Sequence, residues 1–395
     1  MNPDLNQLQP YPFEKIRKLL AGLDTNDKKR IALSVGEPKH AAPTLALAAL
    51  VADLSGLEIY PGSKGTDSLR RAIALWLQQR YQLSNDTDAL ASHHIQPVNG
   101  TREALFAIAQ CLLDRTSNRA GVLMPNPFYQ IYEGAALLAG CKPCFYAIGD
   151  DADADIAAIK EPDWQHCQMI YICNPGNPTG AVMSLETLKK LIELAHKHDF
   201  IIVSDECYSE IYRETAGPPT GLLEASMSYG DETFARCLAF HSLSKRSNLP
   251  GLRSGFVAGD AALIKRFLEY RTYHGCTMAP PIQNASIAAW NDEAHVVENR
   301  QAYDSKYAAV VPILNKVIDV SIPPAGFYLW PRVPTDDKQL TQRLHAEQNL
   351  AVVPGSYLAR ETQGENPGLN RLRLALVAPI EDCIDAANRI VDTLN

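Results

Sequence analysis

The regular alternation of short apolar runs with amphipathic segments, between residues 95 and 271, most constrains the fold of this chain. The apolar runs have the length and composition of buried strands and lie at 95–98, 121–124, 142–148, 169–173, 200–204, 237–240 and 255–258. Helical periodicity occupies 101–113, 129–138, 185–196 and 261–271. Strands separated by helices need crossover connections, so we predict an α/β fold with a mostly parallel sheet covered on both faces.

The alternation stops near Pro280-Pro281, and a helical stretch then runs to about residue 311, where Pro312 is expected to bend or break it. A chain of 395 residues is long for one average domain. We therefore predict an N-terminal arm with part of a small domain at 1–42, a large domain at 43–285 and a small α+β domain at 286–395.

Charge and composition exclude several classes of function. The formal net charge is −8 and the isoelectric point lies near 5.7, which argues against a general binder of nucleic acid or anionic membranes. Residues 1–10 are polar and no apolar run is long enough to span a bilayer, so we expect a cytoplasmic protein. Nine cysteines, an odd number, do not form a secreted disulfide framework.

The pair Cys141-Lys142-Pro143-Cys144 matches half of a zinc site or a redox motif. A zinc site needs a second close pair, and a redox motif should open a helix, whereas residues 144–148 have the pattern of a strand. We expect a structural role for these cysteines and predict no metal site.

Polar residues follow five of the predicted strands directly: 99–101, 126–127, 174–180, Asp205 and 242–245. In open α/β sheets, ligands bind at the carboxyl ends of the strands. We therefore expect these five strand ends to converge on one site.

The segment Ser242-Leu243-Ser244-Lys245, with Arg253 eight residues later, offers one amine nucleophile beside several donors for a phosphate dianion. A pyridoxal phosphate enzyme requires this combination, because a lysine amine forms an imine with the cofactor while hydroxyls and a guanidinium hold its phosphate. Ser242-x-x-Lys245 alone also matches the nucleophile motif of β-lactamases. That class would need S-D-N and K-T-G, but the chain has Ser204-Asp205-Glu206 and no K-T-G.

Two other strand ends suit the same cofactor. Asn99-Gly100-Thr101 opens a helix and would turn backbone amides toward a phosphate, although a plain helix cap fits as well. Asp205 ends an apolar strand, where a carboxylate is costly without a cation such as a protonated pyridine nitrogen; a helix cap is the rival interpretation. Tyr208 would reach the cofactor's phenolic oxygen together with Asn177 of Asn174-Pro-Gly-Asn-Pro-Thr-Gly180.

Together the motifs S-x-S-K, G-x-R-x-G, N-P-G-N-P-T-G, the strand-end Asp205 and Pro125-Asn126-Pro127-Phe128-Tyr129 resemble the class I/II aminotransferases of fold type I. The resemblance implies pyridoxal 5'-phosphate as cofactor, bound by the domain at 43–285. It also implies that Lys245 is the Schiff-base lysine and Asp205 the partner of the ring nitrogen. By the same resemblance, Tyr208 and Asn177 contact the ring oxygen, and Tyr129 stacks on the ring. The phosphate cup consists of Gly100, Thr101, Arg102, Ser242, Ser244 and Arg253.

The resemblance also implies contacts with the substrate and with a second subunit. Arg373 in Arg371-Leu-Arg-Leu-Ala-Leu-Val377 fits the arginine that binds the substrate α-carboxylate better than Arg371 does, and Gly36 would bring a backbone amide to the same group. Tyr60 matches a tyrosine that reaches the phosphate of the neighbouring subunit, which implies a homodimer. Cis peptide bonds are expected at Asn126-Pro127 and Asn177-Pro178.

The segments 8–15, 36–40 and 373–379 resemble the bacterial N-succinyldiaminopimelate aminotransferases. This resemblance implies glutamate as amino donor, small dicarboxylic amino and keto acids as ligands, and a place in diaminopimelate and lysine biosynthesis. Lys39 and His40 are candidates for binding the distal carboxylates. Enzymes acting on aspartate, aromatic amino acids or unacylated diaminopimelate share the same motifs, and a C–S lyase of this fold is a further alternative. A regulator built on the same domain would need an added DNA-binding segment, which we do not expect here.

Overall fold

The structure is a computed structural model and describes residues 1–149, 151–362 and 364–395. Helices and strands alternate through its middle, as the sequence pattern predicts. The α-helices are α1 (Pro12–Leu19), α2 (Thr44–Ala52), α3 (Asp67–Tyr81), α4 (Thr87–His93), α5 (Thr101–Leu112), α6 (Gln130–Leu138), α7 (Ala152–Ala157), α8 (Glu161–His166), α9 (Leu185–His198), α10 (Leu222–Tyr229), α11 (Leu243–Arg246), α12 (Ala261–His274), α13 (Pro280–Trp290), α14 (Ala294–Leu314), α15 (Asp337–Gln348) and α16 (Ile380–Leu394). The strands are β1 (Ile31–Ala32), β2 (Ile95–Val98), β3 (Gly121–Asn126), β4 (Lys142–Ala147), β5 (Cys167–Cys173), β6 (Ile201–Asp205), β7 (Cys237–Ser242), β8 (Gly255–Gly259), β9 (Tyr328–Leu329), β10 (Leu350–Ala351), β11 (Val353–Pro354) and β12 (Leu372–Ala375).

A seven-stranded sheet organises the larger part of the molecule, with strand order β2-β8-β7-β6-β5-β3-β4. Neighbouring strands from β4 to β7 run parallel, and β8 alone is antiparallel to both of its neighbours, β7 and β2. The prediction of a mostly parallel sheet is therefore confirmed. Parallel strands direct their carboxyl ends to one edge, which brings the residues that follow β3, β5, β6 and β7 together.

The strands of this sheet are buried on both faces. In β5, Ile170 and Ile172 belong to the hydrophobic core on one face, while Met169 and Tyr171 belong to the core on the other. Successive side chains of a strand point to opposite faces, so a strand with helices on both sides has to be apolar throughout. This burial explains why the strands appear in the sequence as continuous apolar runs.

A second group of strands lies outside this sheet. β9, β11 and β12 form a three-stranded antiparallel sheet in the order β11-β12-β9, and β1 pairs in parallel with β10. Strands β1, β9, β10 and β12 share a separate hydrophobic core with helices α14, α15 and α16. The pairing of β1 with β10 joins the N-terminal segment to the C-terminal elements, and the domain boundaries at residues 42 and 285 stay a prediction.

The structure corrects two expectations about the helices. The stretch predicted as one helix after residue 280 is two, α13 and α14, separated at residues 291–293. Pro312 lies inside α14, two residues before its end, and does not break it. A proline there removes a hydrogen bond of the last turns only, where the helix is about to end in any case. Among the described helices, none combines the length and apolar character needed to cross a membrane.

Candidate active site

A cavity of about 480 Å³ lies at the carboxyl edge of the seven-stranded sheet. It gathers side chains from segments that are far apart in sequence. The residues that line it are Tyr11, Pro12, Phe13, Val35, Gly36, Glu37, Thr101, Arg102, Tyr129, Gln130, Asn177, Asp205, Cys207, Tyr208, Ser242, Ser244, Lys245, Pro250, Arg253, Tyr328, Val353, Leu358 and Arg373. All predicted site residues except Gly100 and Tyr60 line this one cavity.

Lys245 sits on the short helix α11, immediately after β7 ends at Ser242. Its Nζ donates a hydrogen bond to the backbone carbonyl of Gly36 and lies 5.5 Å from the centre of the Phe327 ring. Burial above all, together with the nearby cation of Arg373, lowers the pKa of Lys245 from its ordinary value of 10.5 to about 8. A substantial fraction of this amine is therefore neutral near physiological pH and able to act as a nucleophile.

Asp205 is the last residue of β6, and its side chain is buried. Oδ2 accepts a hydrogen bond from the Tyr132 hydroxyl at 2.7 Å, and Oδ1 accepts one from the Cys207 backbone N–H at 3.3 Å. Burial raises the pKa of this carboxyl. In the described part of the chain, no lysine or arginine forms an ion pair with it. A carboxylate in such a place needs a cation from a ligand, and a protonated ring nitrogen fits.

Donors suited to a phosphate surround the other end of the cavity. Thr101 begins α5, and Ser242, Ser244 and Arg253 face the same space. The Ser244 backbone N–H donates to Ser242 Oγ at 3.1 Å, while Arg253 Nη2 lies 3.4 Å from the carbonyl of Asn99. Hydroxyls, a guanidinium and a helix N-terminus together form a seat for a dianion.

Gly100 stands behind this seat rather than on its surface. Its φ of +84° lies in the left-handed region that favours glycine, and a Cβ there would lie 2.9 Å from Arg253 Cζ and closer still to Nη2. A larger residue would push the guanidinium away from its place. The structure thus explains why a glycine stands at position 100, since only glycine lets the Arg253 guanidinium come this close to the backbone.

Arg373 and Asn177 meet on the opposite side of Lys245. Arg373 Nη1 donates to Asn177 Oδ1 at 3.2 Å, and Nη2 donates to the carbonyl of Ser34 at 2.9 Å. Because the amide oxygen of Asn177 accepts this bond, its NH2 group is the part that can donate to a ligand. Arg371 lies outside the cavity and donates to the carbonyl of Trp330 at 2.9 Å. Of the two candidate arginines, Arg373 is therefore the one that lines the cavity.

Aromatic side chains enclose the space around the lysine. The Tyr208 hydroxyl lies 3.1 Å from that of Tyr328, and the Tyr129 hydroxyl accepts a hydrogen bond from Arg102 Nε at 2.7 Å. Burial raises the pKa of Tyr129 and of Tyr208, so both phenols stay protonated. The side chain of Arg102 thus extends along the cavity wall toward Tyr129.

Sequence reasoning missed Tyr328 and Tyr132, which contact Tyr208 and Asp205. Tyr328 lies in an aromatic strand with no polar signature, and only its pairing with β12, the strand that carries Arg373, brings it to the cavity. Tyr132 left a usable signal, since it follows Tyr129 by three residues on one helical face.

Besides Gly100 and Arg371, three more of the residues singled out in the sequence do not line the cavity. Tyr60 is fully exposed in the single chain. Lys39 forms an exposed ion pair with Glu37. His40 turns away to Asn299 and Lys306, so Lys39 and His40 do not supply the distal carboxylate contacts considered above. The cis peptide bonds expected at Asn126-Pro127 and Asn177-Pro178 are present, and Asn174-Pro175 is also cis.

Comparison with known proteins gives a consistent result over the whole chain. A family model described as aminotransferase class I and II matches residues 28–390. An aminotransferase structure from Neisseria meningitidis superposes with a TM-score of 0.93 at 45% identity and covers 100% of both chains. A structure described as a probable N-succinyldiaminopimelate aminotransferase from Thermus thermophilus superposes with a TM-score of 0.83 at 25% identity, over 97% of this chain and 100% of that one. The LL-diaminopimelate aminotransferase of Dehalococcoides mccartyi is 29% identical over 391 residues, 95% of this chain and 94% of its own.

Proposed function

Because the chain belongs to the family of class I and II aminotransferases, we propose that it transfers an amino group between glutamate and N-succinyl-2-amino-6-ketopimelate. The amino transfer and the dependence on pyridoxal phosphate follow from the family itself. The donor, the acceptor and the roles of individual residues are our proposal. The observation that carries it is the convergence of Lys245, Asp205 and Arg373 on one cavity with a seat for a dianion.

The residues present fit pyridoxal phosphate. Asp205 is a buried carboxylate that lacks a cationic partner, and the donors around Thr101 and Arg253 suit the phosphate. When bound, the cofactor supplies an aldehyde that links to amines and a ring that accepts electrons from the substrate α-carbon. Asp205 would hold the proton on the ring nitrogen, and Tyr208 and Asn177 would donate to the ring oxygen. Tyr129 would pack on the ring.

Lys245 would act twice in each half-reaction. Its neutral amine, favoured by the lowered pKa, would hold the cofactor between turnovers. Once the substrate amine displaces it, the amine of Lys245 would take the proton from the substrate α-carbon and pass it on to a carbon of the cofactor. Arg373 would bind the α-carboxylate as a forked donor, so that the α-hydrogen faces the lysine.

A third arginine in the cavity, Arg102, supports the proposal that the substrate carries a second acidic group. Arg102 lines the cavity in addition to Arg253 and Arg373, and its Nε donates to Tyr129. The family resemblance assigns Arg102 to the phosphate cup, but its Nε is turned to Tyr129. With Arg253 on the phosphate and Arg373 on the α-carboxylate, we propose that Arg102 serves a distal anionic group of the substrate instead. The likeness to a probable N-succinyldiaminopimelate aminotransferase favours the succinylated acceptor.

LL-Diaminopimelate without the acyl group is the second candidate, because the relative from Dehalococcoides mccartyi is named for that activity. The two substrates share the carbon skeleton and differ at the distal nitrogen. The acyl group adds one carboxylate and removes one ammonium charge, so a cationic cavity wall favours the succinylated form.

A second subunit is also part of the proposal. Large apolar side chains between residues 45 and 59 are exposed in the single chain, which supports a homodimer. These residues are Leu45, Leu47, Val51, Leu54, Leu57 and Ile59. Tyr60 follows them directly, and we propose that it completes the phosphate seat of the other subunit.

The assay that tests the substrate uses purified protein loaded with pyridoxal phosphate and 2-oxoglutarate as acceptor. N-Succinyl-LL-diaminopimelate, LL-diaminopimelate and aspartate are compared by the glutamate formed, and Lys245→Ala is the blank. We expect kcat/KM to be highest for the succinylated compound. A preference for LL-diaminopimelate would move the assignment to the second candidate, and activity confined to aspartate would remove both.

A further inference from the structure

Three polar side chains behind the cavity, two of them buried and one, His40, half-buried, form a chain of hydrogen bonds that the proposed reaction does not use. Lys306 Nζ lies 2.7 Å from His40 Nε2, and His40 Nδ1 lies 2.7 Å from Asn299 Oδ1. Asn299 Nδ2 then donates to the backbone carbonyl of Lys245 at 3.2 Å. This relay, Lys306–His40–Asn299, ends on the residue that carries the reactive amine.

The protons in this relay are fixed by its two ends. Asn299 Nδ2 faces the carbonyls of Lys245 and Arg246, which only accept, so Asn299 Oδ1 faces His40 and accepts. His40 Nδ1 therefore carries the hydrogen, and Nε2 accepts from the ammonium of Lys306. A doubly protonated His40 would set two donors against each other, so the pair holds one positive charge.

That charge is buried without a carboxylate. Lys306 is only 3% exposed, and its remaining hydrogen-bond acceptor is the carbonyl of Val377 at 3.4 Å. Within the described residues, no acidic side chain forms an ion pair with Lys306. Burial lowers the pKa of both Lys306 and His40. A lysine in this position costs stability, which points to a role other than holding the fold together.

The relay also reaches Lys245 by a second route. The imidazole of His40 packs on Tyr303 at 4.6 Å between ring centres, and Tyr303 stacks on Phe327 at 5.3 Å. Phe327 is the ring below the amine of Lys245. His40 further lies four residues after Gly36, whose carbonyl accepts from that amine. His40 is thus linked to Lys245 in three ways: through Asn299, through the stacked rings of Tyr303 and Phe327, and through the short segment that leads back to Gly36.

We propose that His40, held between Lys306 and Asn299, is a positioning residue that fixes where the Lys245 amine stands relative to Gly36. The relay ties α14, the loop at 36–43 and the turn that carries Lys245 into one unit. Loss of the acceptor on His40 would leave the ammonium of Lys306 unpaired and release Asn299, so the turn would shift. The proposal rests on the function proposed above, because it takes Lys245 as the reacting amine.

The test compares substitutions at His40 in the holoenzyme. His40→Phe keeps an aromatic ring against Tyr303 but has no polar atom, whereas His40→Gln keeps one donor and one acceptor. Two quantities are measured: kcat for the amino transfer, and the pH midpoint of the absorbance change of the bound cofactor. We expect His40→Phe to lower kcat at least about tenfold and to shift the midpoint by about half a unit or more, because misplacing a reacting group is costly. His40→Gln should recover most of both.

Lys306→Met tests the end of the relay that lies farthest from Lys245, and Gln301→Met on the exposed face of α14 is its matched control. Lys306→Met should shift the absorbance midpoint and lower kcat while leaving the melting temperature equal or higher, since it removes an unpaired buried charge. Gln301→Met should change none of the three. Because His40→Phe already separates Lys306 from Asn299, the double variant His40→Phe/Lys306→Met should be no worse than His40→Phe alone.

A purely structural role would give a different result. His40→Phe would then lower only the melting temperature, with kcat per cofactor-loaded site and the absorbance midpoint unchanged, and the relay would be refuted. Additive losses in the double variant would refute it as well. If His40→Phe does not fold, His40→Gln and Lys306→Met still decide the matter. A wild-type protein that neither binds the cofactor through Lys245 nor transfers amino groups would instead refute the proposed function.

Discussion

Arg373 Nη1 donates a hydrogen bond to Oδ1 of Asn177 at 3.2 Å, although the two residues are 196 positions apart. Arg373 lies on β12, outside the seven-stranded sheet, and Asn177 lies in the loop that follows β5 of that sheet. The contact joins the two groups of strands across the cavity. It also sets the guanidinium plane, so that its remaining N–H groups can serve a carboxylate.

Arg373→Lys tests this arrangement. A lysine keeps the charge but cannot bind Asn177 and a carboxylate in a forked geometry, so we expect kcat/KM for amino acids to fall about 10- to 100-fold. Steady-state kinetics with the glutamate and 2-oxoglutarate pair measures the loss. Arg371→Lys is the matched control two residues away and should change kcat/KM less than about threefold. Equal losses in the two variants would contradict the assignment of the α-carboxylate to Arg373.

Gly100→Ala tests the approach of Arg253 to the start of α5. The new Cβ would push the guanidinium from its place, so we expect the dissociation constant of pyridoxal phosphate to rise about tenfold or more. Gly22 has a similar φ, +79°, and a Cβ there would have no heavy atom within 4 Å. Gly22→Ala therefore also places a Cβ at a positive φ, at a backbone cost of about 1 kcal/mol, but without the clash. Equal cofactor affinity in both variants would show that Gly100 is needed only for its backbone conformation and not to make room for Arg253.

The lowered pKa of Lys245 predicts how the protein without cofactor takes it up. Only the neutral amine attacks the aldehyde, so the capture rate should rise with pH and level off once the pH passes about 8. The shift is downward from 10.5, which extends the range of fast capture toward neutral pH. Stopped-flow absorbance from pH 6 to pH 11 records the profile. A rate that continues to rise to the ordinary lysine value would contradict the burial of this amine.

Asp205→Asn tests two effects of the buried carboxylate: how much it destabilises the protein without cofactor, and how much it contributes to cofactor binding and activity. Without cofactor the carboxylate lacks a cation, so replacing it with an amide should leave the melting temperature equal or higher. The stabilisation gained on adding cofactor should shrink, and kcat/KM should fall by about 100- to 1000-fold, since a preorganised charge is lost. Thermal melts give the melting temperature without cofactor and the gain in melting temperature on adding it, and steady-state kinetics gives kcat/KM. An undiminished gain on adding cofactor would argue against a contact between Asp205 and the ring nitrogen.

Much of the large sheet was predictable from the sequence, because its strands are buried on both faces and therefore appear as continuous apolar runs. β2 matches its predicted limits, 95–98, and β7 and β8 differ only at their ends. The short strands β1, β9 and β10 have two residues each and depend on pairing with distant partners, which leaves no local pattern. The C-terminal strands were therefore harder to predict than the central sheet.

The residues of the site divide in the same way into those that a local sequence pattern predicts and those that distant packing places. Residues at the carboxyl ends of sheet strands, such as Asp205 and Lys245, were predictable because strand order alone brings them to one edge. Tyr328 and the relay partner Lys306 were not, because each is placed by packing between segments far apart in sequence. His40 shows the limit most clearly, since the family resemblance of segment 36–40 suggested a substrate contact, whereas its hydrogen bonds turn it toward α14.

The proposed sharing of the site between subunits is tested by mixing two inactive variants. Lys245→Ala leaves Tyr60 intact, and Tyr60→Ala leaves Lys245 intact, so a mixed dimer would contain one complete site. After unfolding and refolding equal amounts together, half of the dimers should be mixed, and activity at limiting cofactor should reach about a quarter of the wild-type value. The control is the same two proteins refolded separately and then combined. Activity no greater than in that control, or a monomer by light scattering, would rule out the contribution of Tyr60 to a partner's site.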